Sequence, residues 1–145
     1  MVYTYQLSVL PVETKLVTFL NVIMLTLVAL TPYLLNNVEY IGQPLATSSG
    51  IPEYASILFA LDLAGMLAIL ATFSHVISVE ENALVEAPVA KVFRQSRNVQ
   101  LALCVLIVIS IAPIFWQVTV LTVPLRIYFW LIPIVVYWVR RYRQP

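Results

Sequence analysis

The chain reads as an all-α polytopic membrane protein, a four-transmembrane-helix bundle with both termini cytoplasmic. Three observations predict this fold class. Of 145 residues, 61% are hydrophobic and 10% charged, with a mean hydropathy of +0.93, whereas soluble domains carry about a quarter charged residues. The apolar residues lie in long runs that are nearly free of charge. The basic residues gather on one side of those runs. A soluble fold of this size buries only about 70% of its extended-chain surface, too little to hide such a composition, so lipid is the solvent that suits it.

Residues 1–14 alternate loosely and hold Tyr3 and Tyr5, side chains suited to a membrane interface. They read as a tail along the bundle, the alternative being a strand that docks on a partner. No basic segment precedes their apolar residues, so a cleavable signal is not expected. From Leu16 to Asn36 there is no charge. About 20 apolar residues rising ~1.5 Å each cross a hydrocarbon core of about 30 Å, so the first transmembrane helix is expected at about 16–36. Pro32 should kink or end it near Tyr33. The stretch 37–53 holds Gly42, Pro44, Gly50 and Pro52 and reads as an outer loop.

The second helix, about 54–79, carries one carboxylate, Asp62, and near its far end the only histidine, His75. A cytoplasmic loop follows at about 80–89. Pro88 suits a helix start, and a third helix is expected at about 90–117, with Pro113 interrupting its apolar run. A tight turn then leads to a fourth helix at about 124–142, with Pro133 as a kink. Of the eight basic residues, Lys15, Lys91, Arg94, Arg97, Arg140, Arg141 and Arg143 fall at the first-helix entrance, the middle loop or the C-terminal tail, and Arg126 stands alone at the opposite end. By the positive-inside rule both termini and the middle loop are cytoplasmic and the 37–53 loop faces outward. The expected location is the cell (plasma) membrane, spanned several times.

Asp62 lies about 12 Å below Tyr54 along its helix, inside the hydrocarbon, where a lone carboxylate costs several kcal/mol. It must carry a proton or find a partner. Ser110 on the third helix and Thr26 or Thr31 on the first lie at similar depth, and the long side chain of Arg126 can turn inward. These residues make Asp62, with Ser110 and Arg126, either an ion or proton site or a polar contact within or between subunits. Ala60, Ala64, Ala68 and Ala71 share a face nearly opposite Asp62 at ~100° per residue and form a seam for close helix packing. His75 falls about 31 Å below Tyr54, at the cytoplasmic interface, where a solvated role is expected. Lys91, Arg94, Arg97, Arg140, Arg141 and Arg143 are topogenic charges and candidate contacts for anionic lipid headgroups.

One cysteine excludes an intrachain disulfide framework, and one histidine argues against a self-contained metal or bis-histidine haem site. No cofactor, metal or nucleic-acid partner is expected. Neither a TVGYG filter nor the paired histidines of haem anchors is present. Two functional classes remain. The first is a non-catalytic integral-membrane subunit of a larger, energy-transducing (respiratory-type) complex, whose partners are membrane lipids and other membrane subunits. The second is a small homo-oligomeric channel or transporter in which copies of the chain present Asp62 to a pathway. A membrane enzyme ranks third, because no nucleophile–base pair or metal cluster stands out.

Overall fold

Runs of apolar residues interrupted by Pro and Gly become a helical structure in the computed structural model, which describes residues 15–39, 51–79, 85–121 and 123–143. In chain order these form α1 (Lys15–Glu39), α2 (Ile51–Ser78), α3 (Ala87–Ile109), the short α4 (Ile114–Gln117), β1 (Thr119–Val120), β2 (Val123–Pro124) and α5 (Leu125–Arg143). The helices α1, α2 and α3 are long and apolar enough to cross a membrane. The apolar part of α5, Leu125–Val139, is shorter. The N-terminal tail, most of the outer loop and residues 80–84 lie outside the described residues.

Helix α1 runs through Pro32 to Glu39 rather than stopping near Tyr33. A proline removes one hydrogen bond, but in a long apolar helix the remaining turns and neighbouring helices sustain the element. Helix α3 begins one residue before Pro88, with the Glu86 carbonyl accepting from Val89 N and Ala90 N at 3.0 Å each. Proline in the first turn gives up an N–H that has no helical acceptor anyway. The far end of α3 falls short of the 90–117 span expected from sequence, in which Pro113 interrupts the apolar run. It closes at Ile109, and the chain turns over 110–113 before the separate α4. Pro113 is the physical cause: it lacks the N–H that would bond Ile109, and its ring crowds that carbonyl.

The centre of the bundle is α2, which packs most extensively on α3 and next on α1. Two apolar clusters stack along it. One gathers Val38, Phe59, Ala60, Ala64, Leu103, Ile107 and Trp130, drawing on α1, α2, α3 and α5. The other gathers Val17, Met24, Phe73, Ile77 and Phe93 from α1, α2 and α3, with no buried member from α5. Helix α5 joins the bundle beside the first cluster, where Trp130 meets Phe59 at 4.6 Å between ring centroids and Ile127, Ile132, Val136 and Tyr137 also pack. The antiparallel β1–β2 pair, Thr119 opposite Pro124 and Val120 opposite Val123, caps the N-terminal end of α5, and the Tyr128 hydroxyl donates to the Val120 carbonyl at 2.9 Å.

Candidate functional site

Burial of polar side chains among apolar helices is costly unless each finds a partner, so the interior polar groups are where chemistry would reside. Asp62 is 4% exposed. Its Oδ2 lies 2.8 Å from Thr31 Oγ1 on α1, and the same hydroxyl lies 3.0 Å from the Leu27 carbonyl one turn back. A threonine hydroxyl carries a single hydrogen, so it serves one of those two acceptors at a time. Asp62 Oδ1 has no partner among the described residues. The contact is set by Gly65, one turn along α2: a Cβ there would stand 3.1 Å from Leu27 Cδ1. Without that side chain α1 approaches closely, and Thr31, one turn beyond Leu27, comes level with Asp62.

Arg126 is fully buried and stands apart from that pair. Its Nε donates to the Ser110 carbonyl at 2.8 Å, its Nη1 to Ser56 Oγ at 2.6 Å, and its Nη2 to the carbonyls of Ile111 at 2.8 Å and Ala112 at 3.4 Å. Its guanidinium carbon lies 5.4 Å from the Trp116 ring centroid, within cation–π range. The carbonyls are those left beyond the end of α3, where the helix dipole presents its negative end. The fork geometry of a guanidinium lets one side chain reach all three. Arg126 thus ties the start of α5 to the end of α3 and, through Ser56, to the start of α2.

A third polar contact joins α2 to α3, Ser74 Oγ to Gln100 Oε1 at 2.8 Å, with both side chains fully buried. The other end of that amide, Nε2, has no partner among the described residues. Cys104 Sγ adds a weak donation to the Ala64 carbonyl at 3.4 Å. Near the opposite end of α2, Arg97 Nη1 meets His75 Nδ1 at 3.1 Å, while Arg97 Nε and Nη2 both donate to Asn98 Oδ1.

The structure therefore separates what the sequence grouped. Asp62 is joined to Thr31, one of the partners considered by depth, whereas Ser110 and Arg126 form their own cluster. Thr26 bonds back to the Val22 carbonyl, and Ser110 Oγ to that of Ile107. In the alanine seam Ala60, Ala64 and Ala71 are buried, while Ala68 is exposed. Steps of four residues drift about 40° around a helix, which carries Ala68 to the edge of the face. Lys91 and Arg94 are exposed and Arg97 is half-buried; the side chains of Arg140, Arg141 and Arg143 lie outside the described set. Ser56, Ser74, Gln100 and Trp116 were missed. The signal that finds Ser74 and Gln100 is an uncharged polar residue within an apolar helix, since such groups bond across helices in lipid.

Beside these contacts a cleft of about 660 Å³ opens between α1, α2 and α5. Its lining is almost wholly apolar, from Met24 and Leu35 on α1 through Leu63 on α2 to Ile134 and Trp130 on α5, the indole N–H of Trp130 being buried with no partner among the described residues. None of the polar contacts above opens into it. Comparison with protein-family models, curated proteins and solved structures finds no match, and the functional reading accordingly rests on this chemistry.

Proposed function

We propose that the chain is a non-catalytic integral-membrane subunit of a larger membrane complex of the energy-transducing type, stabilising the assembly through helix packing. The observation that carries this reading is the disposition of the buried polar side chains. Asp62, Ser74, Gln100, Ser56 and Arg126 each bond across a helix–helix boundary, and none lines the cleft. Groups so placed hold helices together rather than bind and turn over a substrate. The surface adds support: only 11% of the most apolar window of α1 is buried by the rest of the chain, which leaves a long apolar face for other membrane subunits or lipid.

In this reading the chain spans the cell membrane four times, with both termini cytoplasmic. The seven basic residues on one side favour that orientation. Arg126 bonds the carbonyls just beyond α3, so α5 starts where α3 ends and returns across the bilayer as a short span. Lys91, Arg94 and the terminal arginines then meet anionic headgroups.

A second reading, a small homo-oligomeric channel or transporter, has one observation in its favour, the unpartnered Asp62 Oδ1, to which a neighbouring copy or a proton pathway would be joined. Flux measurements separate the two. Purified protein is reconstituted in liposomes and proton and potassium movement recorded for wild type and Asp62→Asn. The subunit reading expects flux no greater than in empty liposomes for either protein. Flux in the wild type that Asp62→Asn abolishes would overturn it in favour of the second.

A further inference from the structure

We infer that Asp62 is a proton-holding site, a neutral carboxylic acid at neutral pH whose Oδ2–H donates to Thr31 Oγ1. Three oxygens stand in a row from α2 into α1. Asp62 Oδ2 lies 2.8 Å from Thr31 Oγ1, which lies 3.0 Å from the Leu27 carbonyl oxygen. Two such close contacts between oxygens need two hydrogens. The hydroxyl supplies one, and a carbonyl oxygen has none to give. Were Asp62 ionised, a hydroxyl turned toward it would leave the Leu27 contact without a hydrogen. A hydroxyl turned toward Leu27 would instead face an anion with its lone pairs. A proton on Oδ2 completes the row. The acid then donates to the hydroxyl, and the hydroxyl to the carbonyl of the preceding turn, the back-bond threonine makes in helices.

The other carboxyl oxygen agrees. Oδ1 is buried with no partner among the described residues. An ionised group would leave charge on that bare oxygen, whereas a neutral acid leaves a carbonyl-like one, and an uncompensated buried charge is much the costlier. No described cation offsets it. Helix α1 brings the exposed Tyr33 and, about 24 Å before Thr31, Lys15. In α2 the titratable neighbours are Glu53, itself an acid, and His75, about 20 Å further along. Lys91, Arg94 and Arg97 occupy the first three turns of α3, where Arg97 meets His75, and the Cys104 thiol donates to the Ala64 carbonyl. In α5, Tyr137 is a phenol, the terminal arginines sit at the far end, and Arg126 gives its donors to Ser56 and the carbonyls beyond α3. So held, Asp62 offers no charge to a metal ion, and the contact between α1 and α2 depends on the proton. None of this rests on the chain's being a subunit.

Asp62 is the sole aspartate of the chain, so it can be addressed without mutation. The full chain is made by cell-free synthesis with aspartate whose side-chain carboxyl holds a heavy stable isotope of carbon. It is reconstituted in liposomes and compared by infrared spectroscopy with unlabelled protein, so that lipid esters and glutamates cancel. At about pH 7 we expect most of the labelled signal in the stretch of a protonated carboxyl, where a solvated aspartate keeps its proton in only about one molecule in a thousand. A labelled signal confined to the carboxylate bands would overturn the inference. Thr31→Val leaves Oδ2–H without its acceptor and should shift the protonated band to higher frequency, while Thr31→Ser, which keeps the hydroxyl, should leave it in place. A band unmoved by Thr31→Val, in protein of wild-type helicity, would reject the bond to Thr31 and with it the proton on Oδ2. If Thr31→Val does not fold, the unmutated labelled protein decides, since it reads the protonated and ionised forms directly.

Discussion

Arg126 brings a positive charge into a place without solvent, and what meets it there is mostly uncharged oxygen. Three carbonyls and the Ser56 hydroxyl surround the guanidinium, and Glu53 adds attraction through space. Hydrogen bonds to a charged group are worth about 1.5–3 kcal/mol, so Ser56→Ala is expected to destabilise the bundle by about that amount. Arg126→Lys should cost more, because an ammonium cannot span carbonyls on both sides as a planar fork does. Unfolding in mixed detergent–denaturant micelles, followed by circular dichroism, checks both. Asp62 behaves differently. Asparagine keeps one acceptor and gains a donor, so Asp62→Asn should preserve the contact to Thr31 and leave stability within about 0.5 kcal/mol, whereas Asp62→Leu and Thr31→Val should each lose about 0.6–2 kcal/mol, the range of interhelical hydrogen bonds in membranes. Asp62 was conspicuous in the sequence because an acid in a long apolar run is costly wherever it points. Its partner was legible only as one of several groups at similar depth. The surroundings of Arg126 were not legible, because they consist largely of backbone carbonyls freed by a helix end that Pro113 creates.

At the level of elements, α1 and α2 approach closely at Gly65, and that approach aligns Thr31 with Asp62. The nearest atom to an added Cβ is the end of the Leu27 side chain, 3.1 Å away. Gly65→Ala therefore asks Leu27 to yield by a few tenths of an ångström and should be mild. Gly65→Leu pushes the helices apart and is expected to cost about 1–3 kcal/mol and to break the Thr31–Asp62 contact. A double-mutant cycle pairing Gly65→Leu with Thr31→Val checks this: the second substitution should add almost nothing once the first is made. The β1–β2 turn stores a different strain. Leu121 has φ 51° and is 86% exposed, a left-handed backbone that costs a non-glycine residue about 1–2 kcal/mol. Relieving it with Leu121→Gly should be neutral or stabilising by up to about 1 kcal/mol, since glycine's greater unfolded-state freedom offsets part of the gain. Thermal unfolding of the two proteins side by side reads it out. Long apolar runs, nearly free of charge, made α1, α2 and α3 visible in the sequence. The early close of α3 needed the weight of one proline against a long apolar run, and the β1–β2 pair carried no alternation long enough to be read.

Across the whole molecule, apolar surface outweighs what the chain itself can cover. The central α2 is flanked by α3 and α1, yet α1 turns most of its length outward, and Leu16, Phe19, Val22 and Tyr33 are all exposed large side chains. That surface was legible as composition. Which parts of it face lipid or another protein depends on how the long helices lean together, which hydropathy does not encode. The cleft is the plainest case, since it arises because the wide Phe59–Trp130 contact and the Arg126 fork set the position of α5. The proposal that polar groups here bind helices to one another, within a chain that completes a larger assembly, is tested most directly by the composition of the particle it forms. The chain is extracted from its own membrane in a mild detergent, and the intact particle is weighed and its components identified by native mass spectrometry. The account predicts this chain in fixed ratio with unlike membrane subunits. A closed ring of this chain alone, conducting ions in liposomes, would contradict it.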